Sequence, residues 1–465
     1  MRGLNWVNIA IVLVLLLGSG GAVLFLGKSE EMHAEQAWAE MDYSNAARSY
    51  TRAAQLLPWQ ADLREKAGVA AGMNGNFTEA ISNLHLAHTL SEQGWIMLAY
   101  AYFQNGDPAS ALTAYQNGLK NFPSSASLYS GLAVLYRSQE DWINEKEALQ
   151  NQIQLDEKNV YAHYRLGLLL SFLESDNAIS ELTIASSLDL QLDSAVQTVR
   201  TALNIASTQT DESQKLVTIG RSLGLVQEWP LALASFEKAV QSNAENAEAW
   251  AWLGEAEQQT GQDGSDALDQ AVSLDDESVI VRALRGLHWS RVGNYERMLA
   301  EYSLAARIEP ENPAWQIAMG DANLKRGDLA AALGQYKRAT ELAPDDPTYW
   351  RLLAILCAEN GVAIEEVGLP AAQKAVELAP KDALALDTLG FAYFSSGRYA
   401  SAEDALMQAL EIDPQLYAAH IHLAMNYLLQ GNKTSAYQTL IYVRDADPNG
   451  ADGEHAKQLL AQHFP

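Results

Sequence analysis

The sequence predicts an all-α array of repeated helix pairs, and three observations carry that prediction. Prolines recur at Pro310, Pro344, Pro380, Pro414 and Pro448, spaced 34, 36, 34 and 34 residues apart. A fixed period of this length marks stacked supersecondary units, each in contact only with its neighbours. Between the prolines, apolar and small residues return at helical spacing on either side of a glycine. Composition agrees: 48% of the residues are hydrophobic, 19% are charged and one is cysteine, which excludes bulk disorder and a disulfide framework.

At the amino terminus, Ile9 to Leu26 carry no charge, and Val7 extends the run across Asn8. A helix needs about 20 such residues to cross a bilayer. Trp6 stands at the start, where an interfacial aromatic belongs. A cleaved signal peptide has a shorter apolar core. Gly18-Ser19-Gly20-Gly21-Ala22 resembles a cleavage region, yet Val23-Leu24-Phe25-Leu26 continues the run. Residues 1–28 are therefore expected to be an uncleaved transmembrane anchor that meets the membrane through residues 7–26. Gly18 and Ala22 form a small-xxx-small pair of the kind that packs two anchors together. Arg2 precedes the span and Lys28 follows it beside Glu30 and Glu31, so the expected topology is single-pass, with the repeat body outside the cytoplasm.

The repeat unit is plainest in residues 383–413. Leu389-Gly390 is followed by Tyr393, then Gly397-Arg398-Tyr399, then Ala402, Leu406 and Ala409, with Pro414 after them. Gly397 stops one helix and Pro414 marks the break before the next unit. The unit reads helix, short turn, helix, short turn. Gly390, Ala402 and Ala409 let the helices approach, while Leu389, Tyr393, Tyr399 and Leu406 fill the space between them.

These residues resemble the tetratricopeptide repeat, with its Trp-x2-Leu-Gly-x2-Tyr opening, Gly-Asp/Asn-Tyr turn and closing Ala, Tyr/Phe, Ala and Pro. Trp95, Leu98, Ala99, Tyr102, Gly106, Asp107, Ala111, Tyr115 and Pro123 match one copy. Trp250, Leu253, Gly254 and Gly261 open another, and Gly293, Asn294, Tyr295, Tyr302, Ala305 and Pro310 close the next. Further copies follow to Pro448, and Asp42, Tyr43, Ala46, Tyr50, Ala53 and Pro58 fit an early half-repeat. The resemblance implies a superhelical solenoid of about twelve repeats. The expected order is an anchor (1–28), an amino-terminal array (29–190), a degenerate repeat or break (191–212), a carboxy-terminal array (213–450) and a capping helix (451–465). Within the second array, residues 261–264 belong to a shortened unit, and residues 361–370 are a small insertion.

Function is constrained mostly by exclusion. A net charge of -27 leaves no basic footprint for nucleic acid. No GxSxG elbow, phosphate-binding loop or GxGxxG fingerprint occurs. His420 and His422 fall on different faces of a helix, and His85 and His88 share a face without a third ligand. Cys357 falls at a core position, as a small buried hydrophobe. Asp275-Asp276 and Asp345-Asp346 lie in turns, as helix caps. The chain is expected to be no enzyme and to need no cofactor or metal.

In the family, the first helix of each pair lines a concave groove that holds ligands. The resemblance places Ile96, Tyr100, Phe103, Ile355, Phe391, Phe394, Ile421, Met425 and Leu428 on that surface. Such a face suits apolar or amphipathic segments of a protein or peptide partner. The Lys/Asn set with which some members clamp a terminal carboxylate is missing. The expected function is a membrane-anchored protein-interaction scaffold. Its rivals are a chaperone-like assembly or quality-control factor for exported proteins, and a non-catalytic subunit that recruits substrates to a partner enzyme.

Overall fold

The computed structural model describes residues 6–173 and 175–465, with side chains from Gly21 onward except those of residues 174–176. Among these residues it contains 26 α-helices and no strand. Contacts divide into two compact units, Met1–Ser242 and Asn243–Pro465. The first holds α1 (Trp6–Ala39), α2 (Tyr43–Leu56), α3 (Asp62–Met73), α4 (Phe77–Leu86), α5 (Glu92–Gln104), α6 (Pro108–Asn121) and α7 (Ala126–Ser138). It continues with α8 (Trp142–Leu155), α9 (Val160–Leu173), α10 (Ser175–Leu188), α11 (Asp193–Thr208), α12 (Glu212–Leu225) and α13 (Trp229–Ser242). The second holds α14 (Ala247–Gln259), α15 (Ser265–Leu274), α16 (Val279–Arg291), α17 (Tyr295–Ile308), α18 (Pro313–Lys325), α19 (Leu329–Leu342) and α20 (Pro347–Asn360). After these come α21 (Leu369–Leu378), α22 (Ala383–Ser395), α23 (Tyr399–Ile412), α24 (Tyr417–Leu429), α25 (Lys433–Ala446) and α26 (Ala451–His463).

Consecutive helices pack as antiparallel pairs from α1/α2 to α9/α10 and from α12/α13 to α24/α25. Most pairs turn on three residues, such as Asn105-Gly106-Asp107; α14/α15 and α20/α21 are joined by longer segments. Gly106 takes the left-handed conformation at φ 78°, which only glycine adopts without steric cost. Asp107 then caps α6, its Oδ1 accepting the Ser110 N–H at 3.0 Å. In three pairs the left-handed position is held by Met41, Glu140 and Gln227 at φ 59°, 55° and 64°.

The turns between pairs are closed differently. The Nε1–H of Trp350 donates to the carbonyl of Pro344 at 2.8 Å, and that of Trp250 to the carbonyl of Ala244 at 2.8 Å. Arg282 Nε reaches the carbonyl of Asp276 at 2.9 Å, and His163 and His420 reach those of Glu157 and Pro414 at 3.0 and 3.1 Å. In every case the acceptor lies six residues before the donor. One side chain on the first turn of a helix thus satisfies a carbonyl left over from the preceding turn.

Within pairs, a small residue on the first helix lets a large one from the second seat against its backbone. A Cβ added to Gly390 would stand 2.5 Å from Leu406 Cγ, and one on Gly320 would stand 2.5 Å from the ring of Tyr336. Gly68 meets Leu84, Gly220 meets Phe236 and Gly286 meets Tyr302 in the same manner. The shortened unit brings Gly254 against Leu268 and the backbone of Gly264. The insertion after Gly361 forms one π-helical turn, Ile364–Gly368, which packs Gly368 on Cys357.

Residues 191–212 contain α11, preceded by a short 3-10 turn at Leu190–Leu192. This helix packs beside α10 and α12 without a partner of its own in the pairing. The neighbouring α9 consequently meets α11, α12 and α13. Arg165 of α9 is only 1% exposed there. Its Nε and Nη2 donate to the two oxygens of Glu145, also 1% exposed, at 2.7 and 3.0 Å, and its Nη1 donates to Glu228 at 2.8 Å.

The expected membrane anchor needs correction. Among the described residues no helix is long and apolar enough to cross a membrane. The helix containing the apolar run does not end at residue 28; it continues as the first member of the α1/α2 pair. Gly27 comes so close to Leu57 that a Cβ would lie 2.4 Å from Leu57 Cγ. Ala34 is buried with Ala46 and Tyr50. Lys28 pairs with Glu31, and Glu30 with Arg52. Charge and packing against the first repeat take over directly from the apolar run. The single-pass topology, and the extracytoplasmic placement inferred from it, are withdrawn. The expected Gly18/Ala22 contact and the Trp6 side chain lie outside the described side chains.

Two outcomes test this packing. Gly390→Ala forces a methyl into Leu406 and is expected to lower amide protection in α22 and α23 by about 1–3 kcal/mol in hydrogen exchange. Arg165→Met leaves the buried Glu145 carboxylate unpaired and is expected to cost α8 and α9 about 3–5 kcal/mol in the same measurement.

Candidate partner-binding surfaces

On α5, Ile96, Tyr100 and Phe103 share one helical face. Ile96 and Phe103 are half-buried, and Tyr100 is 41% exposed. The Tyr100 ring meets Phe77 edge-on, with centroids 5.7 Å apart.

Nearer the amino terminus, the same unit has a cavity of about 520 Å³ lined by residues including Glu35, Trp38, Tyr50, Asp62, Glu65 and Lys66. Trp38 is 37% exposed, while Tyr50 is buried. Lys66 Nζ lies 2.9 Å from Glu35 Oε1, 3.4 Å from Asp62 Oδ2 and 5.7 Å from the centre of the Tyr50 ring. Burial lowers the pKa of Lys66, but the hydrogen bond and charge of Glu35, with Asp62 beyond, outweigh it and hold the ammonium above its usual pKa. Burial and the charge of Glu35 raise the Tyr50 phenol. Glu65 accepts from the backbone N–H and hydroxyl of Ser91.

In the second unit, Ile355 on α20 and Phe391 and Phe394 on α22 are half-buried. Phe391 stacks on Phe394 with centroids 6.1 Å apart at 15°, and on His422 of α24 at 4.3 Å and 10°. Asp387 Oδ1 lies 2.7 Å from His422 Nδ1 and holds the imidazole over the phenylalanine. Phe394 also contacts Tyr399 at 6.2 Å. The result is a run of rings across two successive first helices.

The remaining positions differ among themselves. Ile421 is 2% exposed, buried with Ala424, Leu440, Val443, Ala456 and Leu460, and Met425 packs against that cluster. Residues of α26 thus help to bury Ile421, while Met425 stays half-buried like Phe391 and Phe394. Leu428 is half-buried. Sequence reading missed Asp387 and His422. The available signal was that they lie one repeat apart and flank Phe391 on neighbouring helices.

His85 and His88 line a separate cavity of about 380 Å³, with a His85 ring nitrogen hydrogen-bonded to the Tyr102 hydroxyl. Among the described residues no group of three or more His, Cys, Asp or Glu is placed to hold a metal ion. Of the paired carboxylates, Asp346 caps α20 by accepting the Thr348 N–H at 2.8 Å, and Asp275 accepts the Glu277 N–H at 3.0 Å within the turn before α16.

Residues 292–356 and 393–462 match a family model described as tetratricopeptide repeat. Two further models with that description match residues 92–135 and 218–264. The chain carries tetratricopeptide repeats. It is 20% identical over 275 residues to human Superkiller complex protein 3, covering 54% of this chain and 15% of that protein. It is 34% identical over 97 residues to small glutamine-rich tetratricopeptide repeat-containing protein 2 of Mycosarcoma maydis, covering 21% of this chain and 27% of that one. Among solved structures it resembles yeast Tom70 at 16% identity and a TM-score of 0.42, over 94% of this chain and 95% of that one. The matched regions thus span well under half the length of these two sequence relatives.

Cys357 supplies a clean test of the repeat core. It is fully buried, and burial pushes its thiol up to about 11. At pH 8 only about a thousandth of it is thiolate. A thiol reagent is expected to leave the native chain unlabelled over the minutes in which it labels the urea-unfolded chain completely.

Proposed function

We propose that this tetratricopeptide-repeat chain is a non-catalytic scaffold that holds polypeptide partners on the first-helix faces of its repeats. The ring run of Phe391, Phe394 and His422 carries the reading. Its rings are only half-buried, and the Asp387–His422 contact orders them in advance. Rigid, partly exposed aromatic groups give large contact area at low entropic cost, which is why they dominate polypeptide interfaces. Tyr100 with Ile96 and Phe103 offers a comparable face on α5. The name of the human relative, a complex protein, accords with this role.

The contact surface proposed is Ile96, Tyr100 and Phe103 in the first unit, with Ile355, Phe391, Phe394 and Leu428 in the second. Half-buried Met425 belongs with them, while Ile421 is buried in the neighbouring cluster. A displayed library of 12-residue peptides panned on the full chain is expected to yield binders whose affinity falls at least tenfold with Phe394→Ala or Tyr100→Ala. Trp59→Ala, at an exposed loop residue, is expected to leave them unchanged. Binders indifferent to both groove variants would refute the reading.

A further inference from the structure

Resting on that reading, we infer that the cavity lined by α1, α2, α3 and the start of α5 selects a lysine or arginine side chain of the bound polypeptide. The cavity has the two components that recognise an organic cation. One is an aromatic wall: Trp38 remains partly exposed beside the buried Tyr50. The other is negative charge in excess, because Glu35, Asp62 and Glu65 line the cavity against the single cation Lys66. A cation over an aromatic face, flanked by carboxylates, gains from both.

Lys66 itself shows that the site holds an ammonium. Its Nζ sits over the Tyr50 ring and between Glu35 and Asp62. One intramolecular cation leaves the lining negative, and about 520 Å³ leaves room for a second side chain. The carboxylates of Glu35 and Asp62 are more than half exposed, so an incoming cation reaches them without first opening the fold. The chain's net charge of -27 draws basic segments towards it generally, and this cavity supplies the local geometry that a diffuse field lacks. The apolar face of Ile96, Tyr100 and Phe103 stands on α5, which also lines the cavity through Ser91 and Gln93 at its start. The occupant is therefore a polypeptide that places a basic residue in the cavity and apolar residues along α5.

The test pans the 12-residue library on the full chain and sequences the bound pool. Lysine and arginine together are expected to be enriched at least threefold over the input. Lys66→Gln removes the resident cation and is expected to raise that enrichment. The double variant Glu35→Gln with Asp62→Asn, both at exposed side chains, is expected to return it to the input level while apolar residues stay enriched. Apolar binders without basic enrichment would overturn this inference and leave the scaffold reading standing. Basic enrichment that survives in the double variant would overturn it too, by assigning the preference to net charge. A library that yields no binders at all would end both.

Discussion

Everything in this protein depends on how closely the two helices of a pair approach. The approach is set by one contact, a small residue on the first helix under a large one on the second. Gly390 with Leu406, Gly320 with Tyr336, Gly286 with Tyr302, Gly220 with Phe236 and Gly68 with Leu84 are each sixteen residues apart. The interval equals one helix face, a fixed turn and the return. In the shortened unit, where residues 260–264 lead into an α15 of only 10 residues, Gly254 and Leu268 are fourteen apart. A Cβ at these glycines has no room, and interiors packed this densely do not yield by half an ångström without cost.

That single contact makes the rest of the molecule repetitive. It fixes the distance between backbones, so the same turn serves pair after pair. The first-helix faces then line up from one repeat to the next, and side chains 35 residues apart in sequence become neighbours. Asp387 and His422 meet in this way, and His422 is thereby placed over Phe391. The surface on which a partner would rest is a consequence of helix pairing. It is assembled from residues that have no local relation to one another.

Much of the fold was legible because the code for it is local. Each glycine turn, each capping Asp or Asn and each Gly-to-Leu or Gly-to-Tyr interval falls within one repeat. The prolines were legible as punctuation, but their carbonyls were not. Pro344 and Pro414 accept hydrogen bonds from Trp350 and His420, so they also supply an acceptor that ties each turn to the next helix. Trp250, Arg282 and His163 do the same over residues that are not proline, which explains why the earlier repeats manage without it. The amino-terminal run was misread because hydropathy counts only composition. Gly27 and Ala34 belong to the same helix, and their packing partners lie in α2 and in the turn that follows it.

By itself, the sequence determined the helix pairs, their period, their turns and the core position of Cys357, because each follows from spacing within about 34 residues. Only the tertiary structure decided which first-helix residues remain available. Ile421 carries the same apolar pattern as Phe391, yet it is buried in a cluster that includes Ala456 and Leu460 of α26, while Phe391 and Met425 stay half-buried. The structure also decided that α11 stands unpaired and that Arg165 is buried between Glu145 and Glu228, 63 residues from the latter. It gathered Glu35, Asp62 and Lys66 around one cavity. These are contacts between repeats, and exposure, charge pairing and burial there depend on which neighbour arrives, a fact that no single repeat encodes.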